Sequence, residues 1–377
     1  MFFISIPQGT TVNRQSVLFV ATGSPGNIRV YIAAARACVA AGVPVVCCTN
    51  RLWERWVRSH GVPWRELPAE VETYICADVS YPDIPESSIE IPYHARILRQ
   101  LRNGSVRATA EPQLIAVLRD AALIVCSSSF ARVAKQADTL GIQSIGVTRF
   151  GAPLTHEDGR QRPVLFASSS VLAEPAMVQS ALQRITGEWL LPESEVLPGP
   201  LERFMRVNTP YIIITHGAFL GAPAQTVVQH AVSCAQDLGM RSLVLLPSDD
   251  TTIRSDAQTF AWHGPLSHQQ VIAGAACVVH SGGAGTTHRV LRAGVPGLAI
   301  PLKQSDEYWA HRALQVQLTV SVMKPNELTK SLLSDALAHM LTNVSYRYRS
   351  RALATQMSGE RGVEQMLSVI QPYLGVP

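Results

Sequence analysis

Short apolar runs alternate along the chain with longer stretches in which apolar residues recur at helical spacing. Residues 16–21 form one such run, and residues 28–41 form the helical stretch after it. Residues 43–48 and 51–60 repeat the pattern. The runs are apolar at consecutive positions, which is typical of parallel strands covered on both faces. The pattern therefore predicts an α/β chain with parallel sheets.

The same alternation continues to about residue 182 and begins again at residue 211, so it predicts two domains. The 377 residues also exceed the usual size of a single core. A passage rich in proline and glutamate lies between the two halves. We therefore predict an N-terminal domain, a linker, a C-terminal domain and a terminal helix, at residues 1–190, 191–210, 211–360 and 361–377.

The composition limits the classes of function. Hydrophobic residues make up 47% of the chain and charged residues 16%, which indicates well-covered sheets rather than disorder. The net charge is only +4, and we find no basic stripe interleaved with aromatic residues, so we expect no nucleic-acid partner. The seven cysteines lack the spacing of metal ligands, and there is no D-x-D pair. We expect reduced core thiols and no metal, with the adjacent Asp249 and Asp250 in a solvated turn.

The sequence predicts a cytoplasmic protein without a transmembrane segment. No stretch is long and apolar enough to span a bilayer, and the first residues lack the basic and apolar regions of a secretion signal. Association with a membrane surface stays open, because a lipid-like acceptor would make it useful, but we find no polybasic or strongly amphipathic helix that requires it.

The most informative stretch is the glycine-rich run from His280 to Thr287. It follows the apolar run 276–279, which predicts a buried strand, and precedes residues 288–293, which predict a helix ended by Gly294. Glycines in such a loop let the backbone approach a ligand closely, and the positive end of the following helix favours phosphate. His280 can add a donor to the same anion. A glycine-rich turn can also serve conformation alone.

Two further blocks follow. The first reads Ala-Gly-Val-Pro, ends at Pro296 and lies between the predicted helix and the next predicted strand, residues 298–302. The second runs from Pro301 to Trp309, contains Ser305 and Asp306, and includes the loop at the carboxyl end of that strand. Loops at the carboxyl ends of parallel strands open on one crevice, so we expect Asp306 beside the glycine loop. Ser305 or Asp306 could instead cap a helix that starts near Glu307, and we expect Trp309 to be core packing.

These blocks resemble the UDP-glycosyltransferase superfamily, whose bacterial and sterol-glycosylating members carry H-x-G-G-A-G-T-T, then A-G-V-P, then P-x-x-x-D-Q-x-x-W. The first two blocks match fully, whereas Ser305-Asp306 replaces D-Q in the third. The element Leu266-Ser267-His268 matches the family's V-P-H position, and residues 187–192 fit its G-x-W-x-L-P segment. The resemblance covers residues from about 17 to about 361 and is weaker in the first half.

The resemblance implies a GT-B fold, in which two Rossmann-like, doubly wound domains face a cleft and a terminal helix crosses back to the first domain. It implies a UDP- or dTDP-sugar as co-substrate, with no further cofactor, and a small apolar acceptor such as a secondary metabolite or lipid. Its donor-binding positions fall on Leu266, Ser267, His280, Gly282, Gly283, Ala284, Gly285, Thr286, Thr287, Ser305 and Asp306. Among these, the glycine loop would hold the diphosphate, Asp306 with Ser305 the sugar hydroxyls, and Leu266 with Ser267 the base and ribose. Gly217 is a further donor-binding candidate, because the turn after the predicted strand 211–215 opens on the same crevice.

The expected general base is missing. Many relatives have G-[ST]-R-G-D-V in the first turn of the acceptor side, where this chain has Ser24, Gly26 and then Asn27 in place of the aspartate. A carboxamide does not accept a proton at physiological pH, so Asn27 cannot be the base. It can instead be a helix N-cap.

The region between Phe150 and Pro163 is also shorter than the acceptor-binding insertion of relatives, so the acceptor pocket is trimmed. Residues 78–102 could complete it. His94 is one candidate for a substitute base, although a single histidine in such a segment is more often a surface or packing residue. Three further candidates are Asp78, Asp83 and His216.

Two functions therefore remain open. The first is an inverting glycosyltransferase. The second is a GT-B protein that no longer glycosylates and acts as a binding or auxiliary partner, or that catalyses a base-independent cyclisation or rearrangement. A dinucleotide-dependent oxidoreductase is disfavoured, because Pro25 removes a backbone donor from the first turn and no acidic residue follows the second strand.

Overall fold

The computed structural model describes residues 2–5, 11–14, 16–76, 106–149, 162–174, 176, 178, 180–192, 196–215, 222–246, 253–263, 266, 268–302 and 304–374. These residues form two compact units. The first contains the described residues up to Pro192 and those from Glu360 onward, and the second contains the described residues from 196 to Gly359.

The first unit carries a seven-stranded parallel sheet within its described residues. Its strands are β3 (Ser16–Val20), β4 (Val45–Thr49), β5 (Trp64–Glu66), β6 (Ala121–Ser127), β7 (Gln143–Thr148), β8 (Val164–Phe166) and β9 (Gln183–Ile185), in the order β5-β4-β3-β6-β7-β8-β9. Two further strands, β1 (Phe2–Ser5) and β2 (Thr11–Arg14), pair with each other in antiparallel orientation.

Helices cover both faces of this sheet. They are α1 (Pro25–Ala40), α2 (Glu54–Ser59), α3 (Ala69–Cys76), α4 (Val106–Leu118), α5 (Ala131–Thr139) and α13 (Gly362–Ile370). One apolar core joins the sheet to α1 and α13, and a second core on the opposite face joins it to α3, α4 and α5. The first unit is therefore doubly wound.

The second unit repeats this design with a five-stranded parallel sheet in the order β12-β11-β10-β13-β14. Its strands are β10 (Tyr211–Thr215), β11 (Arg241–Leu245), β12 (Thr259–Trp262), β13 (Cys277–His280) and β14 (Gly297–Ala299). Its helices are α6 (Gly199–Arg206), α7 (Ala222–Asp237), α8 (His268–Ala273), α9 (Ala284–Arg292), α10 (Gln304–Gln315), α11 (Lys330–Thr342) and α12 (Val344–Ser358).

Two apolar cores again lie on opposite faces of the sheet. Residues of α7 and α11 pack on one face, and residues of α6, α8 and α9 pack on the other. Strands buried on both faces are expected to be continuously apolar, and β10 (YIIIT) is buried at every position. The α/β prediction with doubly wound parallel sheets is therefore confirmed.

Three helices begin earlier than the sequence predicted. α1 starts at Pro25 rather than residue 28, because proline's fixed φ suits the first helical position. α9 starts at Ala284 rather than His288, and α10 starts at Gln304 rather than near Glu307. The site loops are consequently shorter than predicted.

The segment predicted as a linker contains ordered structure. Leu191 is 5% exposed and packs with Trp189 in the core of the first unit. Leu201, on α6, is fully buried in a core of the second unit. Among the helices of the described ranges, none has both the length and the apolar character needed to cross a bilayer.

Candidate functional site

The glycine-rich loop lies at the carboxyl end of β13, beside the end of β10. The two strands are parallel, and His280 stands opposite Thr215. From β10 the chain builds β11 and β12 on one side of the sheet and then β13 and β14 on the other. The loop therefore opens where the strand order reverses, which is where open α/β sheets bind ligands.

Gly282 adopts a backbone conformation that favours glycine. Its φ of +76° lies in the left-handed region. A Cβ at this position would also lie 3.0 Å from the carbonyl oxygen of Asp306. The absence of a side chain at Gly282 thus lets the loop pack directly against the first turn of α10.

His280 holds the loop from the other side. It is 1% exposed, and its Nδ1 accepts a hydrogen bond from the backbone N–H of Gly282 at 3.0 Å. A neutral His280 therefore carries its proton on Nε2. The ring lies against β14, since a Cβ at Gly297 would be 2.9 Å from Nε2. His280 thus shapes the loop, and its contact with an anion stays a prediction.

The first turn of α9 supplies backbone donors at the end of the loop. Gly283 is the N-cap and no acidic residue lies in that turn. The N–H of Thr287 already binds the carbonyl oxygen of Gly283 at 2.9 Å. The N–H groups of residues 284–286 have no partner within a helix, by its geometry. Together with the positive end of the helix dipole they suit a diphosphate.

Thr287 adds a hydroxyl at this helix end. The residue is 2% exposed, and its Oγ1 finds no hydrogen-bond partner among the described residues. A buried hydroxyl without a partner is costly, and a ligand oxygen within reach would relieve that cost.

Asp306 brings a carboxylate to the same loop. It is 5% exposed, and its Oδ1 lies 3.5 Å from the position that a Cβ on Gly283 would take. The structure therefore brings Asp306 and the glycine loop together. Asp306 is inside the first turn of α10 and not its cap, so the alternative of a helix starting near Glu307 is wrong.

Trp309 packs behind the loop and does not line it. It is fully buried, and its ring lies 4.8 Å from that of His288, edge to face. The Nδ1 of His288 lies 2.7 Å from the carbonyl oxygen of Ala284, which can only accept, so Nδ1 donates. His288 therefore links the start of α9 to the buried Trp309 and stabilises that helix end. The prediction of Trp309 as core packing is confirmed.

Several predicted residues lie outside the described part of the chain. They are Gly217, Ser267, His94, Asp78, Asp83, His216, Asp249 and Asp250. Ser305 lies in α10, but its side chain is not among those described. Leu266 is half-buried at the edge of a core of the second unit.

The acceptor-side turn follows β3, where the strand order of the first sheet reverses. Ser24 is the N-cap of α1, and the carbonyl oxygen of Gly26 accepts a hydrogen bond from Arg149 at 3.2 Å. Asn27 is exposed in the first turn of α1. The reading of Asn27 as an N-cap is therefore wrong, because Pro25 starts the helix before it.

The structure adds a polar cluster that the sequence reasoning missed. The Nδ2 of Asn50, just beyond β4, lies 3.2 Å from both carboxylate oxygens of Glu72 on α3. One turn later on α3, Cys76 Sγ lies 3.5 Å from Thr22 Oγ1, just beyond β3. The only sequence signal for this cluster was the polar residue at the end of each strand. The contacts of these residues with α3 join distant parts of the chain, and no sequence pattern predicts them.

Comparisons with known proteins point in one direction. Residues 262–366 match the family model described as "Erythromycin biosynthesis protein CIII-like, C-terminal domain". The chain is 28% identical to O-mycaminosyltylonolide 6-deoxyallosyltransferase of Streptomyces fradiae, over 57% of this chain and 50% of that protein. It is 32% identical to vancomycin aglycone glucosyltransferase of Amycolatopsis orientalis, over 46% of this chain and 41% of that protein. The matches thus span about half of the relatives' length or less.

The fold also matches solved glycosyltransferases. The crystal structure of glycosyltransferase VinC in complex with dTDP aligns with a TM-score of 0.68 at 14% identity, covering 96% of this chain and 99% of that one. At that identity the likeness concerns the fold.

Proposed function

Because the chain belongs to the UDP-glycosyltransferase superfamily and has the GT-B fold, we propose that it is a glycosyltransferase. It moves a sugar from a UDP- or dTDP-sugar to a small apolar acceptor and inverts the anomeric carbon. The observation that carries this proposal is the N-terminus of α9, whose own first turn has no acidic residue and which opens from the glycine loop where the strand order of the second sheet reverses.

The donor would be held by the glycine loop, Thr287 and Asp306, together with Leu266 and Ser267. The diphosphate lies on the amides of residues 283–286, with the Thr287 hydroxyl as a further donor. Asp306 accepts hydrogen bonds from sugar hydroxyls, and Leu266 with Ser267 lies against the base and ribose. VinC, which shares the fold, was crystallised with dTDP, and this supports a nucleoside diphosphate as the leaving group.

The acceptor is supported by the names of the relatives. One is named for O-mycaminosyltylonolide and the other for the vancomycin aglycone. These names support a natural-product acceptor, and within that class we propose a small, apolar molecule that carries a hydroxyl group.

The reaction forms one bond and breaks another at the anomeric carbon. The acceptor oxygen attacks from the face opposite the diphosphate, whose bond to carbon breaks and whose oxygen keeps the electron pair. The α9 N-terminus stabilises the charge that develops there. The acceptor proton passes to a general base, and Asn27 cannot be that base because its carboxamide does not accept protons at neutral pH.

Glu72 is a carboxylate that the structure places near the acceptor-side edge, but its geometry suits another task. It is 3% exposed, and both of its oxygens face the amide of Asn50. That contact favours a role in positioning the end of β4. We therefore keep His94, Asp78, Asp83 and His216 as the candidates for the base.

One observation favours the second function. Asn27 is exposed where many relatives carry an aspartate, and a carboxamide there removes the base while the donor loop stays intact. A GT-B protein of this kind would bind a nucleotide sugar and act as an auxiliary partner, or catalyse a base-independent rearrangement.

The experiment follows nucleotide binding and sugar transfer together. Thermal shift with UDP and dTDP reports binding, and release of the diphosphate with candidate acceptors reports transfer, with the product anomer read by NMR. Stabilisation with transfer supports the glycosyltransferase, and stabilisation without transfer to any acceptor supports the second function. No stabilisation by either nucleotide contradicts both.

Gly283→Val tests the loop itself. The φ of −60° and ψ of 143° at Gly283 are accessible to valine, so the variant should fold. Its branched side chain would project beside Asp306 at the helix end, and we expect nucleotide stabilisation to disappear. Circular dichroism and an unchanged melting temperature without nucleotide serve as the control for folding. Normal nucleotide binding in this variant would contradict the diphosphate assignment.

A further inference from the structure

Residues 51–58 interleave arginines with tryptophans in the sequence Arg-Leu-Trp-Glu-Arg-Trp-Val-Arg. This segment departs from the expectation that the chain has no basic stripe interleaved with aromatic residues. The segment begins with a 3₁₀ turn, Arg51–Trp53, and continues as α2. Both elements are too short for a helical repeat to stand out in the sequence.

The segment has one buried side and one exposed side. Val57 is fully buried and anchors α2 to a core of the first unit. Leu52 is 72% exposed. Arg51, Arg55 and Arg58 are exposed as well, and Trp56 is half-buried between the core and the solvent. Trp53 is also half-buried, but its indole N–H is buried in the protein. We call the three arginines, Trp56 and Leu52 the Arg–Trp face.

The indoles are held in place. Trp53 and Trp56 lie 5.7 Å apart between ring centroids, and the guanidinium of Arg29 on α1 lies 5.9 Å from the Trp56 ring. Their bodies pack on the core. The face is therefore a preformed surface, which lowers the entropy cost of binding.

The charge of the face is positive. Its three arginines stand against one carboxylate in residues 51–58, that of Glu54, which is 3.0 Å from Arg58. The exposed leucine among cations and beside a half-buried indole is the arrangement found in helices that lie in the headgroup region of a bilayer.

We propose that the Arg–Trp face binds a membrane surface that contains anionic lipids. The arginines contact phosphate groups, the half-buried Trp56 lies at the headgroup level, and Leu52 enters the acyl boundary. The exposure of Leu52 favours a bilayer over a nucleic acid as the partner. Moving an aliphatic side chain from water into hydrocarbon is favourable in free energy, whereas contact with a phosphate backbone gives it little. Three arginines within two turns also provide few phosphate contacts for a nucleic acid.

The face begins directly after Asn50, at the carboxyl end of β4. It therefore lies on the same unit as the acceptor-side turn. If the proposed sugar transfer holds, membrane binding would bring that unit to apolar acceptors dissolved in the bilayer. The membrane binding itself depends neither on the nucleotide nor on transfer, so its failure and the failure of the proposed function are distinguishable.

The test is flotation of the protein with vesicles. Vesicles of equal parts phosphatidylglycerol and phosphatidylcholine should carry the wild-type protein, and vesicles of phosphatidylcholine alone should carry much less. Arg51→Glu with Arg55→Glu should lower the partition coefficient on anionic vesicles about tenfold or more, given the contribution of each cation near such a surface. The matched control is Arg203→Glu with Arg206→Glu on α6, two exposed arginines of the second unit.

The apolar contribution is tested separately. Leu52→Ser should weaken binding to anionic vesicles severalfold, whereas Leu332→Ser, at a position that is 52% exposed on α11, should not. Circular dichroism melting curves should be close to those of the wild type for all four variants, because every change is on the surface.

Three results would overturn the proposal. One is the absence of wild-type binding to anionic vesicles, and another is an equal loss in the charge variant of α6. The third is competition by a single-stranded oligonucleotide that releases the protein from the vesicles. If binding of that oligonucleotide requires Arg51 and Arg55 but not Leu52, the face binds a nucleic acid.

Discussion

Gly282 and Gly283 are neighbours, yet glycine serves different purposes at the two positions. Gly282 has a left-handed backbone and faces the carbonyl oxygen of Asp306, so its role is conformational. Gly283 has a φ of −60° that other residues adopt readily, and a Cβ there would make only an ordinary contact at 3.5 Å. The role of Gly283 is therefore to leave the end of α9 open.

Gly282→Ala should consequently destabilise the fold, whereas Gly283→Ala should not. The first variant combines a strained φ with a Cβ contact at 3.0 Å to backbone, and we expect it to lower the free energy of unfolding by about 1–3 kcal/mol. The second should stay within about 0.5 kcal/mol of the wild type. Urea denaturation measures both, and equal stability of the two variants would refute the distinction.

Asn27→Asp should restore a proton acceptor if a base is all that the site lacks. Asn27 is exposed in the first turn of α1, where a carboxylate is favoured by the helix dipole, so stability should not fall. A positioned base contributes about 10²–10⁴-fold to a rate, and we expect at least a tenfold rise in the initial rate of sugar transfer.

Asn27→Ala is the control for that gain, and it should leave transfer unchanged. The gain in Asn27→Asp should also vanish at low pH, as the new carboxylate becomes protonated. A gain in both variants would mean that the turn acts by shape, and no gain in either would mean that another residue accepts the proton or that the chain does not transfer sugar.

At the scale of elements, strand interiors were predictable and helix starts were not. The strand predicted at 211–215 is β10 without change, because five consecutive buried positions leave a clear apolar run. α9 begins at Ala284, among glycine and threonine residues that are weak helix formers. The hydrogen bond from His288 to the carbonyl oxygen of Ala284 stabilises its first turn. That bond depends on the packing of the buried His288 ring against Trp309.

The site was predictable as a loop but not as a geometry. The order of strand, glycines and helix placed Asp306 beside the glycine loop, as the structure does. The packing of the His280 ring on Gly297 was not predictable, because it depends on the pairing of β13 with β14. The contact of Asn50 with Glu72 was missed because it also joins residues that are distant in the sequence.

The C-terminal helix α13 gives a further prediction at this scale. It begins at Gly362, where a Cβ would overlap the carbonyl oxygen of Glu188. Met366 and Ile370 of α13 are fully buried in a core of the first unit, so the helix cannot simply move away. We expect Gly362→Ala to lower the free energy of unfolding by about 1–3 kcal/mol.

Gly359→Ala is the matched control, three residues earlier. The nearest atom to a Cβ there is the carbonyl oxygen of Gln356 at 3.7 Å, an ordinary contact. In thermal denaturation, the midpoint of Gly359→Ala should stay near that of the wild type. Gly362→Ala should unfold at a lower temperature in the same measurement. Comparable midpoints for the two variants would show that the start of α13 has room to adjust.

At the scale of the whole molecule, the two units differ in the ionisable groups that they bury. All seven cysteines are buried, five in the first unit and two, Cys234 and Cys277, in the second. Burial raises the pKa of the thiols of Cys38, Cys48, Cys76 and Cys126 to about 12 in the first unit. It raises the pKa of Cys47, next to Cys48, further still.

A raised pKa in the folded state makes stability fall at alkaline pH. Below about pH 9 these thiols are protonated in both states and have no effect. Between about pH 9 and about pH 12 the unfolded chain releases the protons and the folded chain keeps them, so unfolding becomes easier. Each shifted thiol contributes up to about 1.4 kcal/mol per pH unit in that range. Because five of the seven thiols are in the first unit, that unit should unfold first as the pH rises.

Iodoacetamide labelling followed by peptide mass spectrometry resolves the two units. At pH 8 the native protein should be labelled far more slowly than the protein in urea, because the thiols are buried and protonated. Near pH 10.5 the cysteines of the first unit should become labelled before Cys234 and Cys277. Replacing Cys47 and Cys48 with alanine should flatten the alkaline decline in the urea midpoint, since two shifted groups are removed. A decline of unchanged slope in that variant, or simultaneous labelling of both units, would place the alkaline sensitivity in groups other than these thiols.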